Sequence, residues 1–166
     1  MFLKKKYILN EGYNKIDSLF TKGIGSNIFI KKKKFLDLSL CAGSLILGHN
    51  SKIFKKSLKH ALKENISNFA AKNEYAFEFS NTLKKIFPTY SSFIFCNSGT
   101  EAVFKSLRIA RAISNKDLII SVTGSWHGST SELLFSSDKN FQSVELSDGL
   151  GKFNKKNIKF IPYNNI

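Results

Sequence analysis

Phe95-Cys96-Asn97-Ser98-Gly99-Thr100-Glu101-Ala102 is the stretch on which the fold of this chain turns. A short apolar run, residues 93–95, comes before it. Ala102, Val103, Leu107, Ala110 and Ile113 come after it, at the spacing that lines one face of a helix. The pattern predicts a strand that becomes a helix at Ser98-Gly99-Thr100. Such a turn leaves backbone N–H groups free at the positive end of the helix dipole, where an anion is well held. Gly99 allows close approach to the backbone and a hydroxyl stands on either side of it, which suits a phosphate monoester. The same residues also make an ordinary helix start, with Ser98 or Thr100 as the cap and Glu101 complementing the dipole.

A second segment bears on the choice. Ser121-Val122-Thr123-Gly124-Ser125-Trp126-His127-Gly128 follows the apolar run 118–122 and sets an aromatic and a histidine in a loop bracketed by glycines. If the two apolar runs are neighbouring strands joined by the helix, right-handed crossover geometry puts both segments at the carboxyl edge of the sheet. Open α/β sheets bind ligands there. A phosphate cup beside a flat aromatic predicts a phosphorylated, planar cofactor.

With these residues in hand, the chain resembles the N-terminal part of the class III pyridoxal-phosphate-dependent aminotransferases, and most of all their glutamate-1-semialdehyde aminomutase-like branch. Five segments carry the resemblance, in order. Phe35-Leu36-Asp37-Leu38-Ser39 resembles the segment that opens that fold, and Leu47-Gly48-His49-Asn50 resembles the family's Gly-His motif. Asn97-Ser98-Gly99-Thr100-Glu101-Ala102 with Arg108-Ile109-Ala110-Arg111 is the most specific match. Gly124-Ser125-Trp126-His127-Gly128 and Ile161-Pro162-Tyr163-Asn164-Asn165 complete the series.

The resemblance implies a partial α/β fold-type I large domain, a mostly parallel sheet with flanking helices, preceded by an N-terminal arm and hairpin. Residues 1–45 would form the arm and hairpin, a small-domain segment, and 46–166 the first part of the cofactor-binding large domain. The implied cofactor is pyridoxal 5'-phosphate. Ser98, Gly99 and Thr100 would cradle its phosphate, and Trp126 would stack on the pyridine ring where the family usually has Tyr or Phe. His127 and Gly128 would shape that loop. Trp brings a larger stacking surface but no phenol hydroxyl. No catalytic residue is assigned. The family's Schiff-base lysine, and the aspartate paired with the pyridine nitrogen, lie beyond the Tyr163-Asn164 segment, and no lysine here stands in a similar context.

The expected function is therefore that of an N-terminal fragment of a transaminase or aminomutase, inactive by itself. The full-length enzyme would act on a small-molecule amino donor and a carbonyl acceptor, as a homodimer. One alternative is a non-catalytic phosphate- or pyridoxal-phosphate-binding module, or one half of a split enzyme completed by a separately encoded C-terminal half. A remoter one is a basic nucleic-acid-binding domain.

Composition narrows these choices. The chain has 166 residues, 42% hydrophobic and 23% charged, enough for a domain with a core. Its net charge of +14 raises the question of nucleic acid. Yet all the basic residues except Arg108 and Arg111 are lysines, spread along the chain, and arginine is the residue favoured at phosphate and base contacts. Neither nucleic-acid nor membrane binding is expected. The two cysteines, Cys41 and Cys96, have no metal spacing and suggest no disulfide framework. The basic start, Met1 through Lys6, lacks the apolar stretch of a signal peptide. A cytoplasmic setting is expected, and no metal site.

Along the chain, a short helix is expected near residues 13–20 and a hairpin over 28–40, with the lysine run 31–34 at its turn. Residues 43–50 read as a loop. Helices are predicted over 52–64 and 74–87, the first with Ile53, Phe54, Leu58, Ala61 and Leu62 inward, the second stopped by Pro88. Runs 93–95 and 118–122 flank the helix after Gly99 as a βαβ unit, and 157–161 is a third candidate strand. His49 is expected to be structural and His60 solvent-facing. Arg108 and Arg111 are expected to pair with carboxylates.

Overall fold

The computed structural model describes residues 20–67 and 71–164, which fall into two compact units divided between Asn73 and Glu74. The expected helix near residues 13–20 lies almost wholly outside the described residues.

The described part of the first unit begins with three antiparallel strands, β1 (Lys22–Ile24), β2 (Asn27–Ile30) and β3 (Lys33–Leu36). β2 and β3 form the expected hairpin, with Ile30 opposite Lys33. The turn is confined to Lys31 and Lys32, and Lys31 takes a left-handed φ of 53°. Lys33 and Lys34 therefore belong to β3 rather than to the turn. The loop 43–50 returns to this sheet through paired backbone bonds, Gly25 N to His49 O at 2.9 Å and His49 N to Gly25 O at 2.8 Å. Gly48 is required there. Its φ is +73° and a Cβ would stand 2.8 Å from Gly25 O. His49 Nε2 meets Asp37 Oδ2 at 2.7 Å, and Asp37 Oδ1 accepts from the backbone N–H groups of Ser39 and Leu40. His49 is thus the structural histidine expected.

Helix α1 (Lys52–Lys63) follows, with Ser51 Oγ accepting from Phe54 N at its start. Its bounds are close to those read from periodicity, and His60 is exposed. Its apolar stripe is not inward, however. Ile53 is 66% exposed and Leu62 71% exposed. Helical spacing creates the stripe, but no element among the described residues covers it.

The second unit opens with α2 (Glu74–Ile86). It ends two residues before Pro88, whose ring cannot continue a helix. Lys84 Nζ donates forward to the carbonyls of Pro88 and Tyr90, each at 2.9 Å. The predicted strand at residues 93–95 does not form. A three-residue run needs a ladder partner to be a strand, and none of the described residues pairs with it. Helix α3 (Gly99–Ser114) starts where expected and ends on Asn115 in the left-handed conformation.

β4 (Ile119–Val122) pairs in parallel with β7 (Ile158–Ile161), the third candidate strand of the sequence. The parallel partner of β4 is therefore β7, rather than the run before α3. Between them lie an antiparallel pair, β5 (Phe135–Ser137) with β6 (Ser143–Glu145), and a short helix α4 (Lys152–Lys156). Neither was foreseen, since their runs are too short to show a period. β7 alternates buried and exposed residues, so one face of the pair is packed. Its Ile158 and Phe160 form the core with Leu133 and Phe135. Val103 and Leu107 of α3, with Ile119 and Leu150, pack partly buried against it.

Candidate functional site

The start of α3 is built by Ser98, Thr100 and Glu101. Ser98 Oγ accepts from Glu101 N at 3.1 Å, which makes Ser98 the cap. Glu101 turns back so that Oε2 accepts from Asn97 N at 2.9 Å, while Oε1 meets Lys105 Nζ one turn on at 2.6 Å. The Lys105 ammonium and the Asn97 amide hold the Glu101 carboxyl below its usual pKa, and Glu101 in turn raises that of Lys105. The carboxylate charge at this helix start is thereby offset by a cation.

The loop leaving β4 comes to the same place. Ser129 N donates to Thr100 Oγ1 at 3.2 Å. Gly128 has φ +86°, and a Cβ on it would lie 2.9 Å from Thr100 Cα. Only glycine lets the loop approach so closely. Trp126, two residues earlier, is 52% exposed. His127 Nε2 lies 2.9 Å from Ser125 Oγ and 3.1 Å from Ser121 Oγ. The two segments singled out in the sequence therefore meet, through Thr100, Gly128 and Ser129.

The donors left over suit an anion. The N–H groups of Gly99 and Thr100 have no carbonyl one turn earlier within α3, and no acceptor is assigned to them among the described residues. The Ser98 and Thr100 hydroxyl oxygens both accept, so each hydroxyl proton remains to be donated. A Cβ placed on Gly99 meets nothing within 4 Å, so the space beside Gly99 is open. A phosphate monoester at a helix N-terminus fits this donor set.

Other readings resolve differently. Arg111 pairs with Glu132 at 3.8 Å, as a structural arginine. Arg108 lies 5.6 Å from the Phe104 ring centroid. It takes an aromatic face one turn back instead of the expected carboxylate. A cleft of about 320 Å³ lined by Ile94, Lys105, Arg108, Ile109 and Ala112, and one of about 470 Å³ lined by residues 144–148 and Lys155, lie elsewhere. Neither includes Gly99 or Trp126, and neither gathers the N–H and hydroxyl donors found at Gly99. Among the described residues no three metal-binding side chains cluster, and no helix is long and apolar enough to cross a membrane. Ser121, Ser129 and Lys105 escaped the sequence reading. Only Lys105 had a signal there, its place four residues after Glu101.

Residues 8–166 match the family model for aminotransferase class III, and the chain belongs to that family. It is 32% identical over 149 residues to a glutamate-1-semialdehyde 2,1-aminomutase of Thermodesulfovibrio yellowstonii, covering 87% of this chain and 34% of the relative. The chain thus spans about a third of the length of the curated relatives it matches. Among solved structures it resembles an omega-transaminase from Sphaerobacter thermophilus, with TM-score 0.75 and 24% identity over 89% of this chain and 35% of that one. It also resembles a transaminase with pyridoxal phosphate bound, with TM-score 0.77 and 22% identity over the same shares. These structural likenesses give the fold alone: part of the fold-type I architecture.

Proposed function

We propose that residues 1–166 form the phosphate- and ring-binding side of a pyridoxal-phosphate site in a transaminase or aminomutase. The observation that carries this reading is the donor set at Gly99 and Thr100, standing open beside the loop of Trp126. Bound pyridoxal phosphate supplies the electron sink for chemistry at an amine-bearing carbon. The chain's own part is to hold and orient it. The amides of Gly99 and Thr100 and the hydroxyls of Ser98 and Thr100 bind the phosphate, Lys105 keeps Glu101 from repelling it, and Trp126 covers one ring face. His127 and Gly128 hold the loop in place. The full enzyme would act on a small-molecule amine donor and carbonyl acceptor, as a homodimer, and the imine lysine would come from outside these residues.

Trp126 is the single tryptophan of the chain, so its emission reports ligand binding directly. Titration of the full chain with pyridoxal 5'-phosphate should quench it. Pyridoxal without the phosphate should bind at least tenfold more weakly, since several charge-assisted hydrogen bonds are lost, each worth about 1.5–3 kcal/mol. Equal binding of the two compounds refutes the phosphate cup. Borohydride reduction followed by peptide mapping should leave no pyridoxyl group concentrated on one lysine, and a single modified lysine would overturn that part of the proposal.

A further inference from the structure

Three side chains at the end of β4 form a closed hydrogen-bond triangle. Ser121 Oγ and Ser125 Oγ are 3.1 Å apart, and His127 Nε2 is within 3.1 Å of both. Ser121 is buried, on the same face of the strand pair as its register partner Phe160. A buried hydroxyl must find partners, and among the described residues Ser125 and His127 are the ones it finds. Ser125 Oγ also donates to the carbonyl oxygen of Val122 at 2.5 Å.

That last bond fixes the others. A carbonyl oxygen only accepts, so the one hydroxyl proton of Ser125 is spent on Val122. Toward Ser121 and His127, Ser125 Oγ must then accept. Ser121 gives its proton to Ser125, and His127 gives the proton on Nε2, shared between the two oxygens. If Nε2 were unprotonated, its lone pair would face the Ser125 lone pair at 2.9 Å. We propose that Ser121 and Ser125 are positioning residues that hold His127 as a donor through Nε2 and thereby fix the loop presenting Trp126. The consequence for cofactor affinity rests on the function proposed above. The arrangement of the loop itself does not.

The test uses the full chain labelled with ¹⁵N-histidine. Magic-angle-spinning spectra of sedimented protein serve even if the chain self-associates, and the chain has only three histidines to assign. In the wild type, His127 should show a hydrogen-bonded Nε2–H signal. Ser125→Ala should shift that signal, since Ser121 alone is then left to accept the proton, and should lower the fluorescence anisotropy of Trp126, and Ser125→Thr, which keeps the hydroxyl, should restore both. Affinity for pyridoxal 5'-phosphate should fall about three- to tenfold in Ser125→Ala, the effect of one lost hydrogen bond. An unprotonated Nε2 in the wild type overturns the proposal. So does a Ser125→Ala protein whose Trp126 anisotropy is unchanged. If the wild type does not bind the cofactor, the functional reading fails, and the ring signal and anisotropy still decide the role of the serines. Should Ser125→Ala not fold, Ser121→Ala removes the other acceptor: it should likewise shift the Nε2–H signal and lower the Trp126 anisotropy, and an unchanged anisotropy overturns the proposal.

Discussion

Ser129 donates its backbone N–H to Thr100 Oγ1 at 3.2 Å, a bond between residues 29 positions apart. It brings the loop after β4 to the start of α3, and with it the two segments in which the cofactor site is proposed. The bond also leaves the Thr100 hydroxyl proton directed elsewhere, since the oxygen is already accepting.

Gly128→Ala should break this junction. The added Cβ meets Thr100, and an alanine at φ +86° is strained whatever the space. A cost of about 1–3 kcal/mol is expected from the backbone strain alone. Urea unfolding followed by Trp126 emission measures it. A variant as stable as wild type would mean that the loop is not held against α3.

Gly99→Ala should act in the opposite way. Its Cβ meets nothing within 4 Å, and alanine suits a helical position. Stability should be unchanged or slightly raised, while affinity for pyridoxal 5'-phosphate falls by about tenfold or more if the phosphate is held at these amides as proposed, because the methyl group would crowd it. Unaltered binding by this variant would place the phosphate elsewhere.

The Asp37–His49 pair should make the first unit sensitive to acid. Chiefly the hydrogen bond from His49, then that from the Leu40 amide, holds the Asp37 carboxyl below its ordinary pKa. A carboxyl depressed in the folded state adds stability above its unfolded pKa. That contribution is lost as pH falls through the folded value. Far-UV circular dichroism of urea-treated chain between about pH 6 and pH 2, a range set around the carboxylate reference pKa, should show this loss. Asp37→Asn should be less stable at neutral pH and should lack that part of the acid response. An acid limb identical in the two proteins would refute the assignment.

Residues 1–166 expressed alone should self-associate. Ile53 and Leu62 on α1 of the first unit, and Ile113 on α3 and Ile120 on β4 of the second, are all more than half exposed, and exposed apolar surface drives association. β4 has one ladder partner among the described residues, so its other edge is open as well. Sedimentation velocity at micromolar concentration should show oligomers or aggregates. A cooperative, reversible melt of a dilute monomer would show that these faces are tolerated.

Much of this was legible in the sequence, because local physics set it. Ser98 and Glu101 begin α3 wherever that helix packs, since the capping and dipole terms act within one turn. The periods that gave α1 and α2, and the lysine-rich turn between β2 and β3, are equally local. The motifs around Gly99 and Trp126 were visible as donor types and spacings. Tertiary structure alone decided which strand β4 would pair with, since a parallel partner nearly forty residues away leaves no mark on either run. It also decided that Thr100 would meet Ser129 and that a buried Ser121 would find Ser125 and His127. Those choices depend on long-range register and on which polar groups are buried together. Likewise, the amphipathic stripe of α1 was written in its sequence, whereas its exposure was set by what packs around it.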